Sequence, residues 1–420
     1  MTKGFMIAAP NSGAGKTTIT LALLRALKNQ GLVYASAKSG PDYIDPRFHE
    51  AATGAPCINL DAWAMSPERI QSLAHGHPNL LIEAAMGLFD GAGVSGKGSA
   101  AALAETLNVP VVLVLDAAKQ SQSIAALVRG FVTHNKQVQI AGLILNKVGS
   151  ARHEEILRTA LQPLGLPIFG AVHRSQALEL PSRHLGLVQA SEHSDLEKFI
   201  EQAAEQISIQ VNSKELHAIG QSLTETPAAP NMTPPAQRIA IAQDAAFAFT
   251  YPHLLSDWRA QGAELSFFSP LEDQPVPDTD MVYLPGGYPE LHAGRLAGKQ
   301  TFFSSLRSAP KVYGECGGYM VMGKTLIDKQ GTPHAMAGLL DLVTSFEKPK
   351  LHLGYRDLIQ KSDFLEGNFS GHEFHFASTI EANGQPLFAA KDADGNALPD
   401  MGLQSGAFAG SFAHIIDRRP

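Results

Sequence analysis

Apolar residues in the first half of the chain come in short continuous runs separated by amphipathic stretches. Runs at 4–9, 80–83, 109–116, 139–145 and 167–172 read as buried strands. Between them, 17–29, 100–107, 121–132 and 154–164 carry helical spacing; in the first of these Ile19, Leu23 and Leu27 share one face. Continuous apolar strands alternating with helices predict a mostly parallel sheet covered on both faces. The pattern breaks after about Ile209. Residues 224–235, Thr-Glu-Thr-Pro-Ala-Ala-Pro-Asn-Met-Thr-Pro-Pro, read as a linker. A new strand at 238–242 opens a second α/β unit, continued by 263–268, 281–284 and 311–314. Helical signals fade from about Ala337, and 372–380 and 411–416 suggest further strands. The fold class expected is therefore α/β with two domains, each a mostly parallel sheet covered by helices. The expected boundaries are 1–215, a linker at 216–236, and 237–420.

Size supports this division, since 420 residues exceed one ordinary core. With 44% hydrophobic and 17% charged residues, the composition is that of a globular protein. No apolar run approaches the roughly 20 residues that span a bilayer, and no signal-peptide pattern opens the chain. A net charge of −7 without a basic run argues against nucleic acid as a partner. Cys57 and Cys316 are the two cysteines, far apart, so a disulfide framework is not expected and a reducing cytoplasm is.

The first candidate chemistry lies in Ser12-Gly13-Ala14-Gly15-Lys16-Thr17-Thr18, between a strand and a helix. A phosphate-binding loop works through backbone N–H groups gathered at a helix N-terminus. Gly13 and Gly15 permit the close approach, Lys16 reaches the β/γ-phosphates, and Thr17 holds Mg²⁺, with Thr18 beside it. Pro10 stands where the usual pattern has its first glycine. Carboxylates follow at strand ends, where open α/β sheets bind ligands: Glu83 after 80–82, Asp116 after 111–115, and Asp42 and Asp45 in Gly40-Pro41-Asp42-Tyr43-Ile44-Asp45-Pro46. Each alone also serves as a cap or turn residue. Together, beside a phosphate loop, they favour metal coordination or substrate phosphorylation. Asn146, at the end of 142–145, stands where a base-recognition loop would be.

The second candidate is Gly314-Glu315-Cys316-Gly317-Gly318, a thiol version of the nucleophile elbow. Its small residues allow a strained turn that lifts the thiol above the sheet, and a helix N-terminus just after it is expected to lower the thiol pKa. The alternative is an inert buried cysteine. The base must be a histidine brought near in space. His414 is the choice; His372 and His375 are its rivals. Gly287, with the amide of Gly317, is a candidate for the oxyanion hole.

Several segments together resemble one known family, the cobyrinic acid and hydrogenobyrinic acid a,c-diamide synthases of cobalamin biosynthesis. They are residues 38–46, Met86-Gly87-Leu88-Phe89-Asp90-Gly91, Arg183-His184-Leu185-Gly186-Leu187, Gly286-Gly287-Tyr288-Pro289-Glu290, Gly314–Gly318 and Gly371-His372-Glu373-Phe374-His375. The resemblance runs over nearly the whole chain. It implies an ATPase domain like dethiobiotin synthetase fused to a class I glutamine amidotransferase domain. It implies that ATP phosphorylates the a and c carboxylates of a corrinoid tetrapyrrole and that ammonia from glutamine displaces the phosphate. Asp42, Tyr43, Asp45, Glu83 and Asp90 then become candidates for nucleotide, metal or substrate handling, with Glu83 and Thr17 on Mg²⁺. Lys38, Arg47 and His49 become candidates for the substrate's carboxylates. Amidotransferases of this class normally carry a glutamate two residues after the catalytic histidine; here that residue is Ile416, followed by Asp417, and Glu373 is the candidate substitute.

Rival readings are a diamide synthase for another tetrapyrrole, such as nickel-sirohydrochlorin, and cobyric acid synthase. The latter is expected to carry Gln-Asn-Met where this chain has Gly40-Pro41-Asp42-Tyr43. A rival of another class is a P-loop ATPase switch with a non-catalytic appendage, but its early loop lysine is replaced by Asn11 and it leaves Cys316 unexplained. A homodimer is entertained as the assembly.

Overall fold

A computed structural model describes residues 2–175, 178, 182–183, 186–187, 195–224 and 229–419. The chain divides into two compact units. The first comprises Met1–Gly91 and Gly96–Ala229, the second Ala92–Ser95 and Pro230–Pro420. Residues 225–228 of the expected linker, and His184 and Leu185 of the Arg183–Leu187 segment, lie outside the described residues. No helix among the described residues is long and apolar enough to cross a membrane.

The first unit is built on strands β1 (Lys3–Ala8), β2 (Ala35–Ser39), β3 (Ile58–Leu60), β4 (Asn79–Glu83), β5 (Val111–Asp116), β6 (Ile140–Val148) and β7 (Ile168–His173). They lie in the order β3-β2-β4-β1-β5-β6-β7, all parallel, and the two-residue strand Gln221–Ser222 pairs antiparallel with the start of β1. The apolar runs of β1, β4 and β5 are fully buried, as a sheet covered on both faces requires. Helix α1 (Lys16–Asn29) lays Ile19, Leu23 and Leu27 on the sheet beside Phe5, Ile7 and Leu81. Helix α2 (Asp45–Thr53) and the helix Leu196–Gln210 pack against it, tied by the buried Arg25. Its guanidinium donates to Ala52 O at 2.9 Å and Ala51 O at 2.8 Å and pairs with Glu197 at 2.6 Å. Strand order reverses direction around β1, so the C-terminal ends of β1, β2 and β4 open on the crevice where such sheets take ligands.

The second unit has a six-stranded sheet in the order Glu264–Phe268, Arg238–Ala242, Met281–Leu284, Val312–Glu315, Phe408–Ser411, Leu403–Ser405. The first five strands are parallel and the last is antiparallel. Phe247, Phe302, Val312 and Met320 lie in its core. To this sheet the unit adds an antiparallel five-stranded sheet, centred on His352–Gln360 and Phe369–His375, and a smaller four-stranded one. After Ser411 the chain leaves the parallel sheet and within three residues joins the antiparallel one as His414–Arg418, with His414 in register with His372. That short step decides where His414 lies.

Candidate active sites

At the end of β1 the loop turns through two glycines with positive φ, Gly13 at 78° and Gly15 at 90°. A Cβ on Gly15 would lie 2.3 Å from Asn146 Nδ2, and that amide donates to Ala14 O at 2.9 Å. Asn146 therefore braces the loop from the end of β6. Lys16 opens α1, and its buried ammonium donates to Met86 O at 2.6 Å and Asn11 O at 3.3 Å. Burial, and next the nearby Lys38 charge, lower its pKa. Met86 itself has φ 53°, a conformation rare for a side chain of its size. Thr18 stands half-buried in the first turn of α1.

Thr17 and Glu83 meet as expected. Thr17 Oγ1 donates to Glu83 Oε1 at 2.7 Å and lies 3.3 Å from Asp45 Oδ2. Lys38, at the end of β2, donates to Asp45 Oδ2 at 2.5 Å and Glu83 Oε1 at 2.8 Å. His49 of α2 closes the far side, with Nε2 2.7 Å from Glu83 Oε2 and Nδ1 3.4 Å from the Cys57 sulfur. Burial favours a neutral Glu83, but the charge of Lys38 and the His49 contact outweigh it and hold the carboxyl below its usual range. Burial likewise opposes charge on Lys38, and Asp45 and Glu83 override it, raising the pKa. The three oxygens of Thr17, Glu83 and Asp45 are hard donors of the kind that suit Mg²⁺.

Lys38 and His49, expected to face the tetrapyrrole carboxylates, point instead into this network and are 3% and 0% exposed. Arg47 forms a half-exposed pair with Glu50 at 2.9 Å. Asp42 acts as a cap: Oδ1 accepts from the amides of Ile44 at 2.7 Å and Asp45 at 3.2 Å. Burial, and next Asp45, push its pKa up to about 7. Asp90 accepts from the Gly87 amide at 2.9 Å, shaping its own turn, and its charge reaches Lys16. Tyr43 is buried between Asp42 and α2 in sequence. The sequence offers no signal for the Cys57–His49–Glu83 chain, because its members come from separate elements.

In the second unit Cys316 follows the strand Val312–Glu315 and precedes the helix Gly317–Met322. Its φ of 46° and ψ of −104° place it in the strained elbow geometry, a conformation that costs about 1–3 kcal/mol. Its amide donates to Ser411 O at 2.8 Å. A Cβ on Gly286 would lie 3.2 Å from Cys316 Cβ, 2.2 Å from His414 Cε1 and 2.7 Å from His414 Nε2. Gly286 thus lies against both Cys316 and the Nε2 edge of His414, and only a residue without a side chain fits between them. Of the three histidines weighed from sequence, His414 is the one that shares this glycine with the cysteine. Gly317 packs close to Gly287, with a Cβ position 3.0 Å from the Gly287 amide nitrogen. Both glycines therefore stand beside the thiol, and a Cβ on Gly287 would strike Ala246 O at 2.1 Å.

The expected lowering of the thiol pKa is reversed. Burial, and next the charge of Glu290, raise it, against the Gly317 amide that hydrogen-bonds the sulfur. A six-residue helix adds little dipole against that burial. Burial, then His372 and His375, lower His414 to about 3. Burial therefore favours the neutral form of both the thiol and the imidazole.

Glu373 does not reach His414. It pairs with Arg356 at 2.7 Å and with His375 Nε2 at 2.8 Å. His352, Glu373 and His375 gather ligand-type atoms within 4.8 Å. The Arg356 charge already occupies that carboxylate, and the two imidazoles stack at 4.7 Å with planes 7° apart, so their in-plane lone pairs do not converge on an ion.

Two family models match the chain. Residues 5–188 match a CobQ/CobB/MinD/ParA nucleotide binding domain and residues 238–419 a CobB/CobQ-like glutamine amidotransferase domain. The chain is similar to proteins named hydrogenobyrinate a,c-diamide synthase. That of Brucella anthropi is 54% identical over 99% of this chain and 98% of its own. That of Rhizobium meliloti is 50% identical over 99% of each, and that of Rhodobacter capsulatus 48% over 99% and 98%.

Proposed function

The chain belongs to the hydrogenobyrinate a,c-diamide synthase family, and from that premise we propose that it amidates the a and c carboxylates of the tetrapyrrole with ATP and glutamine. The observation that carries the reading is the pairing, on one chain, of a Lys16–Thr17 phosphate loop facing Glu83 with a strained Cys316 against Gly286, which also lies against His414. A carboxylate is a poor electrophile, and ammonia is mostly protonated at neutral pH. Phosphorylation gives the carboxylate a leaving group, and a thiol-dependent glutaminase supplies ammonia locally.

In the region 1–215, Lys16 reaches the phosphates and the loop amides surround them. Thr17, Glu83 and Asp45 would hold Mg²⁺, which would supply positive charge to the phosphates. Lys38 keeps both carboxylates ionised and aligned. In the region 237–420, Nε2 of His414 takes the Cys316 proton as sulfur attacks the glutamine carboxamide. The amides of Gly287 and Gly317 receive the developing oxyanion. The imidazolium then gives its proton to the departing ammonia, and water releases glutamate. A switch ATPase with an inert appendage leaves the strained backbone at Cys316 without a purpose. The compartment proposed is a reducing cytoplasm.

Incubation with ATP, Mg²⁺ and glutamine, read by mass, tests the substrate. Metal-free hydrogenobyrinic acid should gain two amides, and cobalt-loaded cobyrinic acid should react more slowly. Amidation of nickel-sirohydrochlorin in preference to both would overturn the assignment.

A further inference from the structure

His414 lacks the glutamate expected two positions after it, and Glu373 is engaged elsewhere, yet a buried imidazole that takes a proton on Nε2 must be held with its other proton on Nδ1. A carboxylate does face Nδ1, that of Glu315, directly before Cys316, with Oε2 at 3.6 Å. Its position follows from the strand. Val312–Glu315 ends in the sheet with Glu315 paired to Ser411, so while Cys316 turns up into the elbow, the preceding side chain projects under the His414–Arg418 strand.

Two further contacts fix the carboxylate there. Oε1 accepts the amide of Ile415 at 3.0 Å, the residue next to His414, and Oε2 accepts the Tyr283 hydroxyl at 2.7 Å. Glu315 and His414 are 2% and 1% exposed, so water does not compete. The same side chain thus grips the backbone beside the histidine and presents an oxygen to its ring. Across the ring, the Nε2 edge faces Gly286, which also lies against Cys316.

We propose that Glu315 is the positioning residue of the glutaminase centre, replacing the absent downstream glutamate by holding His414 with its proton on Nδ1 and Nε2 free to accept. This rests on the reading of Cys316 and His414 given above. At 3.6 Å the contact is longer than a hydrogen bond; it shortens when the imidazole becomes charged during attack. Atoms balance simply: the thiol proton goes to Nε2 and then to ammonia, and the Glu315 carboxyl, whose pKa burial pushes up to about 7, is neither a donor nor an acceptor of that proton.

Glu315→Gln tests this. The amide still accepts from Ile415, but its N–H favours the tautomer with the proton on Nε2, which cannot take the thiol proton. Glutamine-dependent kcat should fall about 10²-fold, with KM for glutamine little changed. Amidation driven by high ammonium should persist, and Glu315→Asp should recover part of the loss. Full glutamine-dependent kcat in Glu315→Gln overturns the proposal, and so does an equal loss with ammonium, which marks a folding defect. Cys316→Ala runs beside it: glutamine-dependent turnover surviving that change would overturn the assignment of the centre itself, whatever Glu315 does.

Discussion

Cys316 shows how one residue's setting can oppose the reading of its motif. Gly-Glu-Cys-Gly-Gly was enough to place a cysteine on a strained turn, and φ 46° agrees. Its acidity was not legible, because burial, the largest cause, is set by tertiary packing, and Glu290 and Glu373 come from other segments. A raised thiol pKa means that the thiolate, the species that reacts with alkylating agents, is scarce at neutral pH and grows about tenfold per pH unit below that pKa. Alkylation of Cys316 in the free enzyme by iodoacetamide, followed by peptide mass, should therefore still be rising between pH 8 and 9. A plateau already reached at pH 7 would show a low-pKa thiol. Glu315, proposed to orient His414, was equally hidden: it sits inside the quoted motif, but its contacts with the Ile415 amide and His414 arise only in the fold.

Among the elements, the strongly apolar strands were readable and the polar ones were not. Strands at Arg238–Ala242 and Met281–Leu284 and the helix Ala100–Leu107 lie where their patterns place them. Strand β2, Ala35-Ser36-Ala37-Lys38-Ser39, carries no apolar signal, yet lies buried between β3 and β4. It is tolerated there because Lys38 is paired twice, with Asp45 and Glu83. That pairing also explains why Lys38 is not a surface cation for substrate, as its neighbours in sequence suggested. Breaking a buried ion pair from one side leaves uncompensated charge, at a cost of about 3–5 kcal/mol. Lys38→Met should therefore lower the midpoint of urea unfolding markedly. Lys361→Ala, which removes a half-exposed pair with Asp400, should change stability by less than about 1 kcal/mol. Equal effects would contradict the buried network.

For the whole molecule, two α/β units on one chain were legible from the interrupted pattern and the proline-rich segment between them. The two further sheets of the second unit were legible only as fading helix signals and the strands suggested at 372–380 and 411–416, because their strands lack long apolar runs. The proposed division of labour has the first unit activate the carboxylate for both nitrogen sources and the second only make ammonia. The most direct measurement is tetrapyrrole amidation, read by mass, for Lys16→Ala and Cys316→Ala, each with glutamine and with high ammonium. Cys316→Ala should lose the glutamine route and keep the ammonium route, while Lys16→Ala should lose about 10²-fold or more with either. Undiminished ammonium-driven amidation in Lys16→Ala, or glutamine-driven amidation in Cys316→Ala, would contradict it.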